Sequence, residues 1–124
     1  GLLFHENEFE DLVEQSTPII LHFKDMFNRK RPNEVDNRIN TLPSKTNKTR
    51  SYPSGHSAQA RLVARYVAGK FPEHERELIK AGNECGYGRV QAGFHYVSDY
   101  DIGNLLGEKM YIFMNKADYK KENE

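Results

Sequence analysis

The sequence predicts an all-α fold, a compact bundle of about five helices. Three observations carry the fold class. Apolar residues recur at three- and four-residue spacing nearly everywhere outside one long polar stretch. Helix-start pairs stand at Thr17-Pro18 and Ser54-Gly55, and helix-stopping residues at Pro32, Gly69 and Pro72 divide the periodic segments.

Taken in order, Phe9, Leu12 and Val13 form the inward stripe of a first helix whose acidic start suits the helix dipole. Thr17-Pro18 reads as an N-cap followed by proline at the first helical position. A second helix then runs to about Asn28, turning Ile19, Ile20, Phe23, Met26 and Phe27 inward, with Lys24 at the rim of that stripe. Residues 33–52 read as irregular, rich in Asn, Ser, Thr and Lys; an ordered loop this long is unusual in a small domain, which favours a functional role or real mobility. Ser54-Gly55 opens a third helix with Ala60, Val63, Ala64 and Val67 on its inner face. The fourth begins near Glu73 and carries Leu78, Ile79, Ala81 and Cys85. A last helix starts around Val97–Asp99 with Ile102, Leu105, Leu106, Met110 and Phe113, and the charged tail after Lys116 is expected to fray.

The 124 residues make one domain, 1–124, able to bury roughly two-thirds of its unfolded surface. Apolar residues are 37% and charged residues 29%, and the longest apolar run, Pro18-Ile19-Ile20-Leu21, falls far short of the roughly 20 residues of a membrane span. The expectation is a soluble protein without a transmembrane segment, with a cytoplasmic location favoured. The single cysteine, Cys85, excludes an internal disulfide and is expected to be a small buried residue. Zero net charge conceals a segregation: residues 24–50 hold eight Lys and Arg against three Asp and Glu. Such a patch is either a solvated loop or a funnel for an anion. Nucleic acid is not expected, because no aromatic interleaving accompanies the basic run.

Three clusters carry the chemistry. In Pro53-Ser54-Gly55-His56, a helix N-terminus offers unpaired N–H donors, Gly55 allows close approach of a ligand, and His56 sits in the first turn. His95 and Asp99 are one helical turn apart, so the carboxylate can accept from Nδ1–H and leave the Nε2 lone pair as a nucleophile. Arg89, upstream, supplies a cation. Lys24 and Arg31-Pro32 bracket the end of the second helix. Each cluster alone has a bland alternative, respectively a plain Ser cap, a structural His–Asp staple and a solvated basic face. Their order and company give them weight.

With these residues the chain resembles the type 2 phosphatidic acid phosphatase and vanadium haloperoxidase superfamily, which includes bacterial class A acid phosphatases. The resemblance implies an acid phosphatase-like helical core and a metal-independent phosphatase. In it His95 attacks phosphorus to form a phosphohistidine, His56 protonates the leaving oxygen and then activates water, and Asp99 orients His95. Lys24, Arg31, Ser54, Gly55 and Arg89 bind the phosphoryl oxygens. No cofactor is implied; vanadate is expected to bind as an inhibitor. The substrate class is a phosphorylated small molecule or lipid head group. One departure is Gly88, where the family usually has Ser before the arginine. Family members generally carry further helices before the first cluster, so a homo-oligomer covering exposed apolar faces is expected.

Two other readings compete. In a vanadium haloperoxidase the same pocket would hold vanadate as cofactor and oxidise halide with peroxide. A non-catalytic phosphate-binding module would keep the cations and lose turnover, with Gly88 as a first sign of decay.

Overall fold

A computed structural model of the chain describes residues 6–39, 41 and 49–122. Among these, every regular element is helical: α1 (Glu6–Phe27), the one-turn α2 (Pro32–Val35), α3 (Gly55–Lys70), α4 (Glu75–Gln91) entered through a 3-10 turn at Pro72–His74, and α5 (Val97–Glu122). The all-α expectation holds, with one fusion. The break foreseen at Thr17-Pro18 does not occur, and α1 passes through Pro18 without interruption. A proline inside a helix costs about 3 kcal/mol because an N–H is lost and the ring crowds the previous turn. Here Leu12, on one side, and Ile19 and Ile20, on the other, pack into one core with Ala58, Leu62 and Met110, so burial spans the defect. The hydroxyls of Ser16 and Thr17 both donate to the Val13 carbonyl, at 2.7 and 2.9 Å, and ease the local irregularity.

The helix ends after Phe27 at Asn28, which takes a positive φ of 50°, a conformation asparagine tolerates better than most residues. Residues 33–52 are not wholly irregular, since α2 follows directly on Arg31; residues 40 and 42–48, within the expected loop, lie outside the described residues. Several expected core residues are solvent-facing instead: Met26, Phe27, Leu105 and Phe113 are all half exposed or more. Cys85 is exposed too, a correction to its expected burial. Lys24, assigned to the rim, is by contrast only 4% exposed. Helical periodicity identifies a stripe but not how many neighbours cover it. Beyond Lys116, where fraying was expected, the α5 backbone continues helical to Glu122. No helix among the described residues is long and apolar enough to cross a membrane.

The site is positioned by α3, which lies between α4 and α5. Small residues let it approach closely. A Cβ at Gly86 would stand 2.5 Å from Ser57 Oγ, one at Gly103 2.7 Å from the Ser54 carbonyl oxygen, and one at Gly107 2.5 Å from that of Ala58. Charge adds a clamp, because Glu108 of α5 accepts from Arg61 Nη1 at 2.7 Å and Arg65 Nε at 2.6 Å, both on α3.

The α4 terminus brings the third cluster into place. Gly93 has φ 86°, and the N–H groups of Gly93 and Phe94 donate to the carbonyls of Val90 and Arg89, each at 3.0 Å. This is a Schellman closure, which needs a left-handed residue just past the helix. It reverses the chain within a few residues, so the Phe94 ring returns against the Arg89 guanidinium.

One glycine of α4 and one of α5 therefore predict opposite behaviour. A Cβ at Gly88 meets nothing within 4 Å, so Gly88→Ala is expected to stabilise the fold by about 0.5–1 kcal/mol through helix propensity. Gly103→Ala is expected to cost about 1–3 kcal/mol through overpacking. Urea denaturation of the two variants measures both signs.

Candidate active site

Asp99 organises the site from the first turn of α5. Its side chain is fully buried, and its Oδ2 accepts from the Tyr96 backbone N–H at 2.9 Å, the return half of a capping box. The same oxygen accepts from His95 Nδ1 at 3.2 Å and from the Ser51 hydroxyl. Oδ1 faces Arg29, whose Nη1 donates to it at 2.8 Å. The Asp99 carbonyl accepts from the N–H of Ser54 at 3.0 Å, which fastens the start of α3 to the start of α5.

The tautomer of His95 follows from both ring nitrogens. Arg31 Nη1 lies 3.3 Å from Nε2, and a guanidinium can only donate. Nε2 is therefore the acceptor and Nδ1 carries the proton that goes to Asp99. The reactive lone pair points at a cation, and an anion seated on Arg31 would lie in front of it. Arg31 is itself fixed, donating through Nε to the Thr49 carbonyl at 2.8 Å and through Nη1 to the Phe94 carbonyl at 3.1 Å.

A cavity of about 300 Å³ opens in front of these groups. Lys24, Arg31, Thr49, Gly55, His56 and His95 form its polar end, while Thr17, Ile20, Leu21 and Gln59 line the remainder. Lys24 reaches it from the last turn of α1, its ammonium donating to the Arg50 carbonyl at 2.5 Å. Gly55 and His56 are the first residues of α3, where backbone N–H groups lack intrahelical acceptors. Ser54 caps that helix, accepting from the Ser57 N–H at 3.3 Å. It is fully buried behind the cavity wall rather than lining the cavity. The Arg89 guanidinium stacks on Phe94, 4.0 Å from the ring centroid.

Crowded cations set the protonation states. Burial pushes Lys24 down to about 8, with help from Arg31 and then Arg89 against the opposing pull of Asp99. Burial also lowers Arg31, followed by repulsion from Arg89, and lowers Arg89. His56 falls to about 4, through burial first and then the charges of Arg89, His95, Arg31 and Lys24. Burial likewise lowers His95, and its hydrogen bond to Asp99 only partly offsets this. Asp99 is held below the usual carboxylate range: burial would raise it, but the hydrogen bonds from His95, Ser51 and the Tyr96 N–H outweigh that penalty. The empty site thus holds two neutral imidazoles, one ionised carboxylate and three cations. Among the described residues, no three His, Cys, Asp or Glu side chains converge as metal ligands would.

Each of the three sequence clusters thus supplies lining to the cavity, through Lys24 and Arg31, through Gly55 and His56, and through His95, whereas Asp99, Ser54 and Arg89 do not line it. Sequence reasoning missed Arg29, Ser51 and Thr49. Arg29 was hidden in the basic run Arg29-Lys30-Arg31, and Ser51 and Thr49 in a polar stretch without a motif. Of the tyrosines near the third cluster, Tyr87 and Tyr100 pack edge to face at 5.3 Å, away from the cavity.

Residues 14–122 match the model of the PAP2 superfamily, and the chain belongs to that family. It is 38% identical over 87 residues to a non-specific acid phosphatase of Salmonella typhi, covering 68% of this chain and 35% of that protein. An acid phosphatase of Zymomonas mobilis is 30% identical over 105 residues, covering 82% of this chain and 40% of its own length. The chain thus spans well under half the length of these relatives. Among solved structures, a transmembrane PAP2-type phosphatidylglycerolphosphate phosphatase from Bacillus subtilis superposes with a TM-score of 0.64 at 22% identity, over 90% of this chain and 58% of that one. That likeness supports the helical architecture.

The depressed His56 has a consequence for stability. Its folded value near 4 lies below the ordinary 6.5, so between these values the unfolded chain binds more protons. Stability is expected to fall as pH drops from 6.5 toward 4. In His56→Gln that decline should be shallower. Thermal melts at pH 7, 6 and 5 on both proteins measure the difference.

Proposed function

We propose that this chain is the core of a metal-independent phosphatase that hydrolyses a phosphomonoester or pyrophosphate through a phosphohistidine. The observation that carries this reading is the locked imidazole: His95 Nδ1–H on Asp99 and Nε2 facing Arg31. The Nε2 lone pair attacks phosphorus as the bond to the leaving oxygen breaks. Phosphoryl oxygens rest on Lys24, Arg31, Arg89 and the N–H groups opening α3. Charge spread over those oxygens is met by preorganised cations, the role a divalent metal fills elsewhere. Asp99 stays ionised and accepts from Nδ1–H as positive charge builds on the ring.

His56 supplies the proton to the leaving oxygen. In the empty site burial, and then the repulsion of the charges around it, keep it neutral. A phosphate dianion offsets that repulsion, so His56 takes up its proton with the substrate and releases it to the leaving group. Neutral again, it withdraws a proton from water, which attacks phosphorus, breaks the N–P bond and frees orthophosphate. The substrate presents a phosphoryl group, on a small molecule or a lipid head group.

Release of para-nitrophenol from its phosphate ester tests the activity. His95→Ala is expected to lower kcat by several orders of magnitude while inorganic phosphate still binds. EDTA should leave turnover unchanged and vanadate should inhibit. If vanadate, bromide and peroxide instead yield brominated product with no phosphatase turnover, the haloperoxidase reading replaces this one. Calorimetric titration of vanadate in buffers of different ionisation enthalpy should show proton uptake near neutral pH. Binding without uptake would remove His56 as the acid.

A further inference from the structure

Arg29 lies outside the cavity and outside every motif discussed above, yet it makes the contact to Asp99 Oδ1. The two carboxylate oxygens have separate tasks. Oδ2 takes the Ser51 hydroxyl, the Tyr96 N–H at 2.9 Å and His95 Nδ1 at 3.2 Å. Oδ1 takes Arg29 Nη1 at 2.8 Å. The carboxylate can present Oδ2 to three donors only while Oδ1 is held on the opposite side.

The guanidinium is built into place. Its Nη1 also donates to Ser98 Oγ at 2.7 Å. Its carbon lies 4.5 Å from the centroid of Tyr52 and 5.6 Å from that of Tyr96, within reach of both ring faces. The Arg29 carbonyl accepts from the Ser51 N–H at 2.9 Å, so Arg29 and Ser51, the two side chains gripping Asp99 from outside α5, are tied to each other. A side chain that is 39% exposed thus has two acceptors at Nη1 and two aromatic rings beside its charged head.

We propose that Arg29 is a positioning residue for the nucleophile: it anchors Asp99 through Oδ1 and draws off part of its negative charge, keeping Oδ2 on His95 Nδ1–H and the Nε2 lone pair available. This rests on His95 being the nucleophile of the phosphatase proposed above. The electrostatic direction is definite. With Arg29 present, the Asp99 charge is shared between a guanidinium and an imidazole. Without it, the whole charge acts on His95 and favours the imidazolium, which cannot attack. The other groups acting on His95 are Lys24 from α1, Arg31 before α2 and His56 from α3, and changing Arg29 leaves each of them in the chain.

Arg29→Gln and Arg29→Lys test the assignment. In Arg29→Gln, kcat for para-nitrophenyl phosphate is expected to fall about 10- to 100-fold, the scale seen when an outer partner orienting a reactive imidazole is removed. KM should stay within about threefold, because Arg29 does not line the cavity. The acid limb of kcat/KM, which reports the free enzyme, should move to higher pH. Arg29→Lys keeps the charge and should retain the wild-type acid limb with a smaller loss of kcat. A merely structural clip would lower the amount of folded protein without moving the pH profile. Unchanged kcat in Arg29→Gln, or a rise in KM at constant kcat, overturns the proposal. Should Arg29→Gln not fold, Arg29→Lys decides alone: a displaced acid limb there, with the charge retained, counts against it. NMR titration of labelled histidine in the resting protein gives a readout independent of turnover. The His95 imidazole should titrate at higher pH in Arg29→Gln than in wild type, and an unmoved titration refutes the coupling. If wild type releases no phosphate while this titration shifts, the phosphatase reading fails and the Arg29–Asp99–His95 linkage stands.

Discussion

A single buried carboxylate holds the site in one piece. Asp99 ends the first turn of α5 through its bond to the Tyr96 N–H, orients His95, accepts from Ser51 and Arg29, and through its carbonyl fastens Ser54 at the start of α3. Removing a buried charge from water is expensive unless each lone pair finds a donor. Here the donors come from the loop after α1, the segment before α3 and the start of α5. Satisfying one carboxylate thus gathers three separate parts of the chain, and His95, the proposed nucleophile, is among the groups gathered. Ion pairs on the surface contribute little to such organisation; the Arg38–Asp36 pair, largely in solvent, joins only residues two apart.

Against that gain stands the repulsion among Lys24, Arg31 and Arg89. Two of these are almost wholly buried, and burial together with mutual repulsion lowers the proton affinity of both. A site of this kind is destabilising when empty and becomes favourable when an anion enters, so a bound phosphate analogue stabilises the fold by mass action. The scaffold tolerates the strain because α3 is held tightly elsewhere. Gly86, Gly103 and Gly107 let α4 and α5 meet its backbone, and Glu108 bridges Arg61 and Arg65 further along. The close-packed half of α3 carries none of the chemistry; its N-terminus carries much of it.

This division explains what could be read from the sequence. The candidate site was legible because the proposed phosphoryl chemistry demands particular side chains at helix-scale spacing, and Lys24, Arg31, His56, Arg89, His95 and Asp99 match that demand. Helix identities were legible through periodicity, as was the start of α3 through Ser54. Burial was not: Phe27 and Leu105 have helical spacing but too few neighbours, while Lys24 is buried because the loop carrying Thr49 and Arg50 closes over it. Pro18 misled for the same reason. Local chemistry called for a break, and tertiary packing on both flanks carried the helix through. Arg29 and Ser51 could not be found at all, since their function depends on a partner about fifty to seventy positions away.

Under the proposed reaction, the protonation pattern gives the constellation its selectivity. Burial first, and then the surrounding cations, favour the neutral form of both imidazoles. For that reaction this is the correct state for His95 and the wrong one for His56. A neutral ligand would leave both unchanged and find no acid waiting. A dianion neutralises part of the surrounding charge, and the ring best placed to gain a proton is His56, since Arg31 already occupies Nε2 of His95 and Asp99 its Nδ1–H. In the proposed reaction the same field that attracts the phosphoryl group therefore prepares the proton its leaving oxygen needs, and does so only once the group has arrived.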